Sequence, residues 1–171
     1  MNYKIYVDGS KHNLEIPKNP VEIIEPKKVA VFNQEKLIRK SLINPIDSPD
    51  LHTFLQDKKN ILIIVNDGAR NTPTQIVISA IYDHIKDKNI KFLVALGTHR
   101  NPTEIEYDRI FGKYYKEFED RILCHDSKND EMTNLGSTSR GTPVMINSEV
   151  TKADAVIVIS SVEPHYFAGF T

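Results

Sequence analysis

A continuous apolar run at residues 61–65, ILIIV, constrains the fold of this chain more than any other feature. A short run without alternating polar residues is typical of a strand buried on both faces, as in a parallel sheet. A helical apolar pattern follows over residues 74–86, and a second apolar strand is predicted at residues 92–96. Strand, helix and strand in this order predict a βαβ unit.

The alternation of helices and strands continues toward the end of the chain. Thr103, with Glu106 three residues later, predicts a capping box at the start of a helix. Further strands are predicted at residues 121–124, 144–146 and 155–159, and a short helix at residues 149–153. We therefore expect an α/β fold with a parallel or mostly parallel sheet and helices on both faces, a Rossmann-like three-layer arrangement with right-handed crossovers.

The first part of the chain predicts extra N-terminal β strands. Residues 4–7 alternate at period two, and residues 29–32 form a short apolar run after the proline-marked segment 17–26. A helix is predicted at residues 34–43, which Asn44 and Pro45 end.

Composition limits the size and the partners of the protein. With 171 residues, of which 40% are hydrophobic, the chain has enough apolar material for one core, so residues 1–171 are expected to form a single α/β domain. Its 22 basic and 23 acidic residues are mixed along the sequence and give a net charge of -1. This balance predicts neither a nucleic-acid partner nor binding to an anionic membrane.

Cysteine content and the N-terminal sequence indicate the compartment. The single cysteine, Cys124, cannot form an internal disulfide, and the first residues lack a secretory leader pattern. No stretch approaches the roughly 18 consecutive apolar residues that a membrane span requires. We expect a soluble, cytoplasmic protein.

Unusual polar segments begin where four of the predicted strands end. Ligands of open parallel sheets bind outside the carboxyl ends of the strands. We therefore expect these segments to converge on one edge of the sheet and to carry the function. They are DGARNTPT from residue 67, GTHRNPT from residue 97, HDSKND from residue 125 and SVEPHYFAGF from residue 161.

The first polar segment suits an anion. Asp67 and Gly68 allow a tight turn, and Arg70 supplies a permanent, planar cation. Together with free N–H groups at the start of the next helix, these residues predict a phosphate or carboxylate site. The alternative is a solvated turn with Arg70 on the surface.

Two histidines, His99 and His165, each follow a predicted buried strand and should face the same cleft. Imidazole titrates near neutrality and can give or take a proton, so two histidines opposed across a substrate suit reversible chemistry on a planar intermediate. The alternative for each is a structural histidine with both ring nitrogens hydrogen-bonded.

Other classes of site have little support in the sequence. His99, Cys124, His125 and His165 carry nitrogen and sulfur ligands, but they lack the close pairs of structural zinc sites, so we predict no protein metal site. The segment 137–141 is rich in hydroxyls, but no G-x-S-x-G elbow supports serine hydrolysis, and a hairpin turn or subunit contact is the alternative. The glycine fingerprints of dinucleotide and NTP sites are also absent.

Four segments together resemble the N-terminal domain of the nickel-pincer lactate racemase family. They occur in the family's order and approximate spacing, and the resemblance covers nearly the whole chain, most clearly from Asn60 onward. The segments are NDGARNTPT from residue 66, VALGTHRNPT from residue 94, LGSTSRGTPV from residue 135 and SSVEPHYFAGF from residue 160.

The resemblance implies a racemase or epimerase of 2-hydroxyacids with a nickel-pincer nucleotide, nickel pyridinium-3,5-bisthiocarboxylate mononucleotide, as cofactor. In this family the cofactor accepts a hydride from the carbon that bears the substrate hydroxyl, while a histidine takes the hydroxyl proton. Return of the hydride to the opposite face, with a second histidine as acid, gives the mirror-image product. By match of motif, the two histidines are His99 and His165. The cofactor-contacting loop falls on Asp67, Gly68, Ala69 and Arg70.

Two departures from the family pattern affect these expectations. The family loop commonly reads D-x-T-R-P-T-P-T, whereas Ala69 and Asn71 stand here in place of the threonine and proline, so lactate is not assumed as the substrate. The family also continues beyond Phe170 to a lysine that tethers the cofactor, a histidine that ligates nickel and a C-terminal domain. We therefore expect an inactive N-terminal domain that does not bind the whole cofactor and whose partners are a small 2-hydroxyacid and the missing C-terminal domain.

Two other functions remain open from the sequence. One is a non-catalytic α/β module that binds a phosphate or nucleotide. The other is a hydroxyacid dehydrogenase, which the missing dinucleotide fingerprint disfavours.

Overall fold

The structure is a computed structural model that describes residues 2–7, 10–15, 33–165 and 167–170. Contacts divide the chain into two units, Met1–Phe32 and Asn33–Thr171. In the first unit, β1 (Asn2–Val7) pairs antiparallel with β2 (Ser10–Glu15). The pairing confirms the strand predicted at residues 4–7, while the strand predicted at residues 29–32 lies outside the described residues.

The second unit alternates helices and strands along the chain. Its helices are α1 (Gln34–Ile43), α2 (Leu51–Leu55), α3 (Thr74–Ile85), α4 (Glu104–Phe111), α5 (Tyr115–Phe118) and α6 (Ser148–Lys152). Its strands are β3 (Asn60–Asn66), β4 (Asn89–Ala95), β5 (Ile122–Cys124), β6 (Met132–Ser137), β7 (Pro143–Asn147), β8 (Ala155–Ile159), β9 (Pro164–His165) and β10 (Gly169–Phe170). Among the described residues, no helix has both the length and the apolar character that crossing a membrane requires.

A sheet of four parallel strands lies at the centre of this unit, in the order β5-β4-β3-β8. From β3 the chain proceeds to β4 and β5 on one side and later adds β8 on the other. The strand order therefore reverses beside β3. In open α/β sheets this reversal marks the crevice where ligands bind.

The hydrophobic core lies on one face of the sheet. Alternate side chains of β3 and β4, such as Ile63 and Phe92, are fully buried and pack against apolar side chains of α1 to α5. The Phe92 ring lies with its centroid 5.1 Å from that of Phe111 and 5.1 Å from that of Phe118. The helices thus attach to the sheet through a large aromatic cluster.

The opposite face of the sheet carries α6. Lys91 of β4 alternates with the core residues, and its Nζ lies 2.5 Å from Oε2 of Glu149 on α6. Helices therefore cover both faces, and the predicted α/β class with its parallel sheet is confirmed. The polar residues Asn89 and Lys91 also explain why β4 begins three residues before the predicted apolar run.

The hydroxyl-rich segment around residue 138 forms the turn of a hairpin. β6 pairs antiparallel with β7, and the turn is closed by hydrogen bonds from Thr138 N to Thr142 O and from Gly141 N to Thr138 O, each 2.9 Å long. Gly141 has a φ of 78°, which glycine adopts without steric cost. A hairpin turn was one of the two interpretations of this segment, and the structure confirms it.

Candidate functional site

The loops that follow β3, β4, β5 and β8 leave the same end of the parallel sheet. Three of them contain the residues that the sequence singled out. The loop after β3 carries Asp67 to Arg70, the loop after β4 carries His99, and the segment after β8 carries His165. The predicted convergence of these loops on one edge of the sheet is confirmed.

An aspartate and a histidine meet where β3 and β4 end. Asp67 is 6% exposed, and its Oδ2 lies 2.5 Å from Nδ1 of His99. The other carboxylate oxygen accepts the main-chain N–H of Ala69 at 3.1 Å. Because the His99 side chain is 55% exposed, the pair places a buried carboxylate behind an accessible imidazole.

The backbone turn after β4 places His99 next to Asp67. The His99 N–H donates to Leu96 O at 3.0 Å, and Gly97 has a φ of 59°. This left-handed conformation favours glycine, so the residues before His99 determine the direction of the loop. A cavity of about 240 Å³ lies beside the pair and is lined by Asp67, Gly68, Ala69, His99, Arg100, Pro102 and Glu106.

Helix α4 supports this cavity through its first turn. Thr103 and Glu106 form the predicted capping box, which is thereby confirmed. Glu106 also accepts two hydrogen bonds from Arg100, at 2.7 and 3.1 Å. These Arg100 hydrogen bonds, followed by the main-chain N–H of Thr103, lower the pKa of Glu106 from 4.5 to about 2. The carboxylate is therefore ionised at any physiological pH.

The same helix contacts the backbone of the loop after β3. Arg109 donates from Nη2 to the carbonyl oxygen of Gly68. Glu106 lies so close to Gly68 that a Cβ added there would be 2.8 Å from Cγ of Glu106. Glycine is favoured at this position because a side chain here would be in steric conflict with Glu106 of α4.

An ion pair joins the loop after β3 to the segment after β8. Arg70 Nη1 lies 2.7 Å from Oε2 of Glu163, with both side chains partly exposed. Glu163 also accepts a hydrogen bond from Ser161 Oγ at 3.0 Å. Arg70 is therefore exposed at the surface and is held by an acidic partner from another segment.

A second polar connection reinforces this junction. Asn66 Nδ2 donates to Thr72 Oγ1 at 2.7 Å, and Thr72 Oγ1 donates to Ser161 Oγ at 3.2 Å. Asn66 is the last residue of β3, so side-chain hydrogen bonds join the end of this strand to the segment after β8. The two loops are held in a defined relative position.

His165 lies two residues beyond Glu163 in a small two-stranded hairpin. Its Nδ1 accepts main-chain N–H groups from Phe167 at 3.4 Å and Ala168 at 3.2 Å. Its ring meets the Phe167 ring edge to face, with 4.3 Å between centroids. The backbone of the turn between β9 and β10 therefore contacts this imidazole through two N–H groups.

Residues at the end of β5 and in the loop after it contact other segments of the second unit. His125 Nδ1 lies 3.1 Å from Asn147 Nδ2 and 3.3 Å from Asp130 Oδ2, and Cys124 Sγ lies 3.2 Å from the hydroxyl of Tyr107. Burial and the adjacent Cys124 raise the pKa of the Tyr107 hydroxyl. In the described part of the chain, no three His, Cys, Asp or Glu side chains are grouped so as to hold a metal ion.

Sequence reasoning missed Glu163 and Arg109 as parts of the site. Both act through contacts between segments that are far apart in the chain, at separations of 93 residues for Glu163 and Arg70 and 41 for Arg109 and Gly68. The one available signal was that Glu163 lies in the same segment as His165.

Comparison with known proteins identifies similar chains along the whole length. Residues 7–171 match the family described as the lactate racemase N-terminal domain. The lactate racemase of Thermoanaerobacterium thermosaccharolyticum is 32% identical over 99% of this chain, and that of Lactiplantibacillus plantarum is 30% identical over 82%. The chain spans only 42% and 34% of the lengths of these two relatives.

A solved structure has the same fold. The lactate racemase apoprotein from Thermoanaerobacterium thermosaccharolyticum superposes with a TM-score of 0.81 at 31% identity, over 100% of this chain and 41% of that one.

Proposed function

Because the chain belongs to the lactate racemase N-terminal domain family, we propose that it supplies the acid and base groups of a 2-hydroxyacid racemase or epimerase. The observation that carries the proposal is the Asp67–His99 pair, which lies where β3 and β4 end. A buried carboxylate that orients an accessible imidazole is a common arrangement for a general base.

In this proposal His99 and His165 act at the substrate hydroxyl. Each ring is held through Nδ1, by Asp67 in one case and by main-chain N–H groups in the other. Nε2 is then the nitrogen of His99 that exchanges a proton with the substrate oxygen. Fixed imidazoles avoid the entropy loss of orienting a mobile base during the reaction.

Arg70 is the residue proposed to bind the substrate carboxylate or the cofactor phosphate. A guanidinium has five N–H donors, and Glu163 contacts Nη1 of Arg70. A bound anion therefore adds to the Arg70–Glu163 pair through the remaining donors, and Glu163 keeps the guanidinium in place. The neighbouring Asp67, Gly68 and Ala69 complete the proposed contact loop.

The residues of the chain fit the anionic part of a nickel-pincer nucleotide better than its metal. Arg70, four residues before the start of α3, is a planar cation that suits a phosphate group. Within the described residues no cluster of metal-ligating side chains is present, so we propose that ligands for nickel come from the cofactor and from the part of the relatives that this chain does not span. When bound, the nickel-pincer nucleotide supplies the hydride acceptor.

The test is interconversion of enantiomers by the full-length protein loaded with cofactor. D-Lactate and larger D-2-hydroxyacids would be incubated separately and the products resolved by chiral chromatography. We expect His99→Asn and His165→Asn each to lower turnover by at least about 100-fold, the usual contribution of a general acid or base, with nickel content unchanged. His84→Asn, on α3 beside His52 and outside the site, is the matched control and should keep full activity.

The proposed racemase fails if none of the hydroxyacids is interconverted while nickel is bound. A phosphate-binding module would instead be favoured if the parent and both histidine variants show no turnover and bind the ligand with equal affinity. Stoichiometric appearance of a reduced nicotinamide would favour a dehydrogenase.

A further inference from the structure

Carboxylates outnumber guanidinium groups in the lining of the cavity beside Asp67 and His99. Apart from His99, the charged groups of this lining are the carboxylates of Asp67 and Glu106 and the guanidinium of Arg100. Asp67 is 6% exposed, and the Glu106 side chain is 22% exposed, so water screens both charges incompletely. A negative group of a ligand that enters the cavity therefore meets two carboxylates and one arginine.

The arginine of this cavity is already balanced by one of the carboxylates. Arg100 donates to both oxygens of Glu106, at 2.7 and 3.1 Å, and to the carbonyl oxygen of Asn101 at 2.9 Å. Arg100 and the Thr103 N–H together lower the pKa of Glu106 to about 2, so this carboxylate stays charged. The positive charge of Arg100 is therefore not available to neutralise a second anion.

Arg70 is balanced in the same way by a residue of another segment. It directly follows Ala69 of the cavity lining, and its Nη1 lies 2.7 Å from Oε2 of Glu163. Glu163 is held in turn by Ser161 Oγ at 3.0 Å. The remaining N–H groups of Arg70 can bind one carboxylate of a ligand, whereas Glu163 repels any further negative charge on it.

We propose that Glu106 and Glu163 are specificity-determining residues that restrict the site to 2-hydroxyacids with a single negative charge. Dicarboxylic and phosphorylated hydroxyacids carry a second charge that Arg70 and Arg100 are not free to neutralise. This inference rests on the proposed function, because it takes Arg70 as the residue that binds the ligand carboxylate. Both glutamates act through charge, and neither takes part in proton transfer.

The exposure of these groups indicates the size of the effect. Arg70 and Glu163 have 49% and 40% of their side chains exposed, so the repulsion is partly screened by water and salt. At such positions a second negative charge should weaken binding by about 10-fold. The difference should shrink as the salt concentration rises, whereas an effect of ligand size should not.

The test compares three ligands that differ in charge and in size. D-Lactate has one carboxylate, D-malate has a second one, and the C4 amide of D-malate combines the size of malate with the charge of lactate. Binding to the 171-residue chain is followed by NMR of the Gly68 and Ala69 main-chain N–H groups at about pH 7, where carboxylates are ionised. D-Malate should bind about 10-fold more weakly than the other two ligands at low salt, and the difference should shrink at about 0.5 M salt.

Glu163→Gln and Glu106→Gln test the two carboxylates separately. Each variant loses one negative charge but keeps a side-chain oxygen that accepts hydrogen bonds, so binding of D-malate should strengthen about 3- to 10-fold relative to D-lactate. Glu35→Gln is the matched control, because Glu35 forms an ion pair of 2.8 Å with Arg39 on α1, outside the site. The control should leave the ratio of the two affinities unchanged.

Four results would overturn the proposal. They are a parent chain that does not bind D-lactate, equal binding of D-malate and D-lactate, equally weak binding of D-malate and its amide, and an unchanged ratio in both glutamine variants. The parent titrations decide the first three even if a variant fails to fold. The expected ligand preference combined with absent racemisation would reject the proposed function alone, and racemisation combined with equal binding of D-malate would reject this inference alone.

Discussion

Helix α4 lies so close to Gly68 that replacing this glycine with alanine should lower the stability of the folded chain. In Gly68→Ala, the new Cβ would lie 2.8 Å from Cγ, 2.9 Å from Cβ and 3.0 Å from Cδ of Glu106. These atoms include the base of a side chain that the capping box and Arg100 hold at its other end. The contact therefore cannot be relieved by rotation of a free side-chain end.

The expected loss of stability follows from two opposing effects. Gly68 lacks the positive φ of Gly97, so its backbone accepts alanine, and a permitted Gly→Ala change stabilises a protein by roughly 0.4 to 1 kcal/mol through the unfolded chain. Overpacking typically costs about 1 to 3 kcal/mol. The net change in the free energy of unfolding should be a loss of about 1 kcal/mol.

The assay is urea unfolding followed by far-UV circular dichroism, because the chain contains no tryptophan. With a slope of about 2 kcal/mol per molar urea, the loss corresponds to a midpoint lower by about 0.5 M. In a Glu106→Ala background, which lacks Cγ and Cδ, the same substitution should lower the midpoint by less. A raised midpoint, or an equal loss in both backgrounds, would refute the reasoning.

Two further predictions concern the hydrophobic core and the dependence of stability on pH below about 4.5. Phe92→Ala should lower the free energy of unfolding by about 3 to 5 kcal/mol because Phe92 is fully buried between two phenylalanine rings. Phe92→Leu should lower it less. An equal shift of the urea midpoint in both variants would contradict this prediction. The pKa of Glu106 is lowered from 4.5 to about 2 in the folded chain, so its ionised form adds stability above about pH 4.5 that is lost as the pH falls toward 2. Glu106→Gln should make urea midpoints less dependent on pH in this range than those of the parent, and parallel pH curves for the two proteins would count against it.

The local features of the fold could be predicted from the sequence. The apolar runs of β3 and β8, the helix α1 and the capping box of α4 depend on neighbouring residues, and their predicted positions agree with the structure to within a residue or two. The polar start of β4 was missed because Asn89 and Lys91 face α6, which makes this end of the strand resemble a loop. The strand β6, with the sequence MTNLGS, lacks an alternating apolar pattern and gave no signal.

The candidate site could be predicted only as a set of loops. Strand ends indicated that Asp67 and His99 lie on one edge of the sheet, but not that their side chains form a hydrogen bond. Glu163 binds Arg70 across 93 residues, and only the strand order beside β3 explains why the two meet. Propensity and periodicity describe neighbours in sequence, so contacts of this kind lie beyond them.

The position of β8 beside β3 also sets an order of events during synthesis. Asn66 and Ser161, which meet at the junction, are 95 residues apart, so β3 remains an exposed edge strand until the chain has been synthesised through β8. An apolar edge strand is a template for aggregation during that interval. His165 lies six residues beyond the end of β8, so it is synthesised just after the strand that covers this edge of β3.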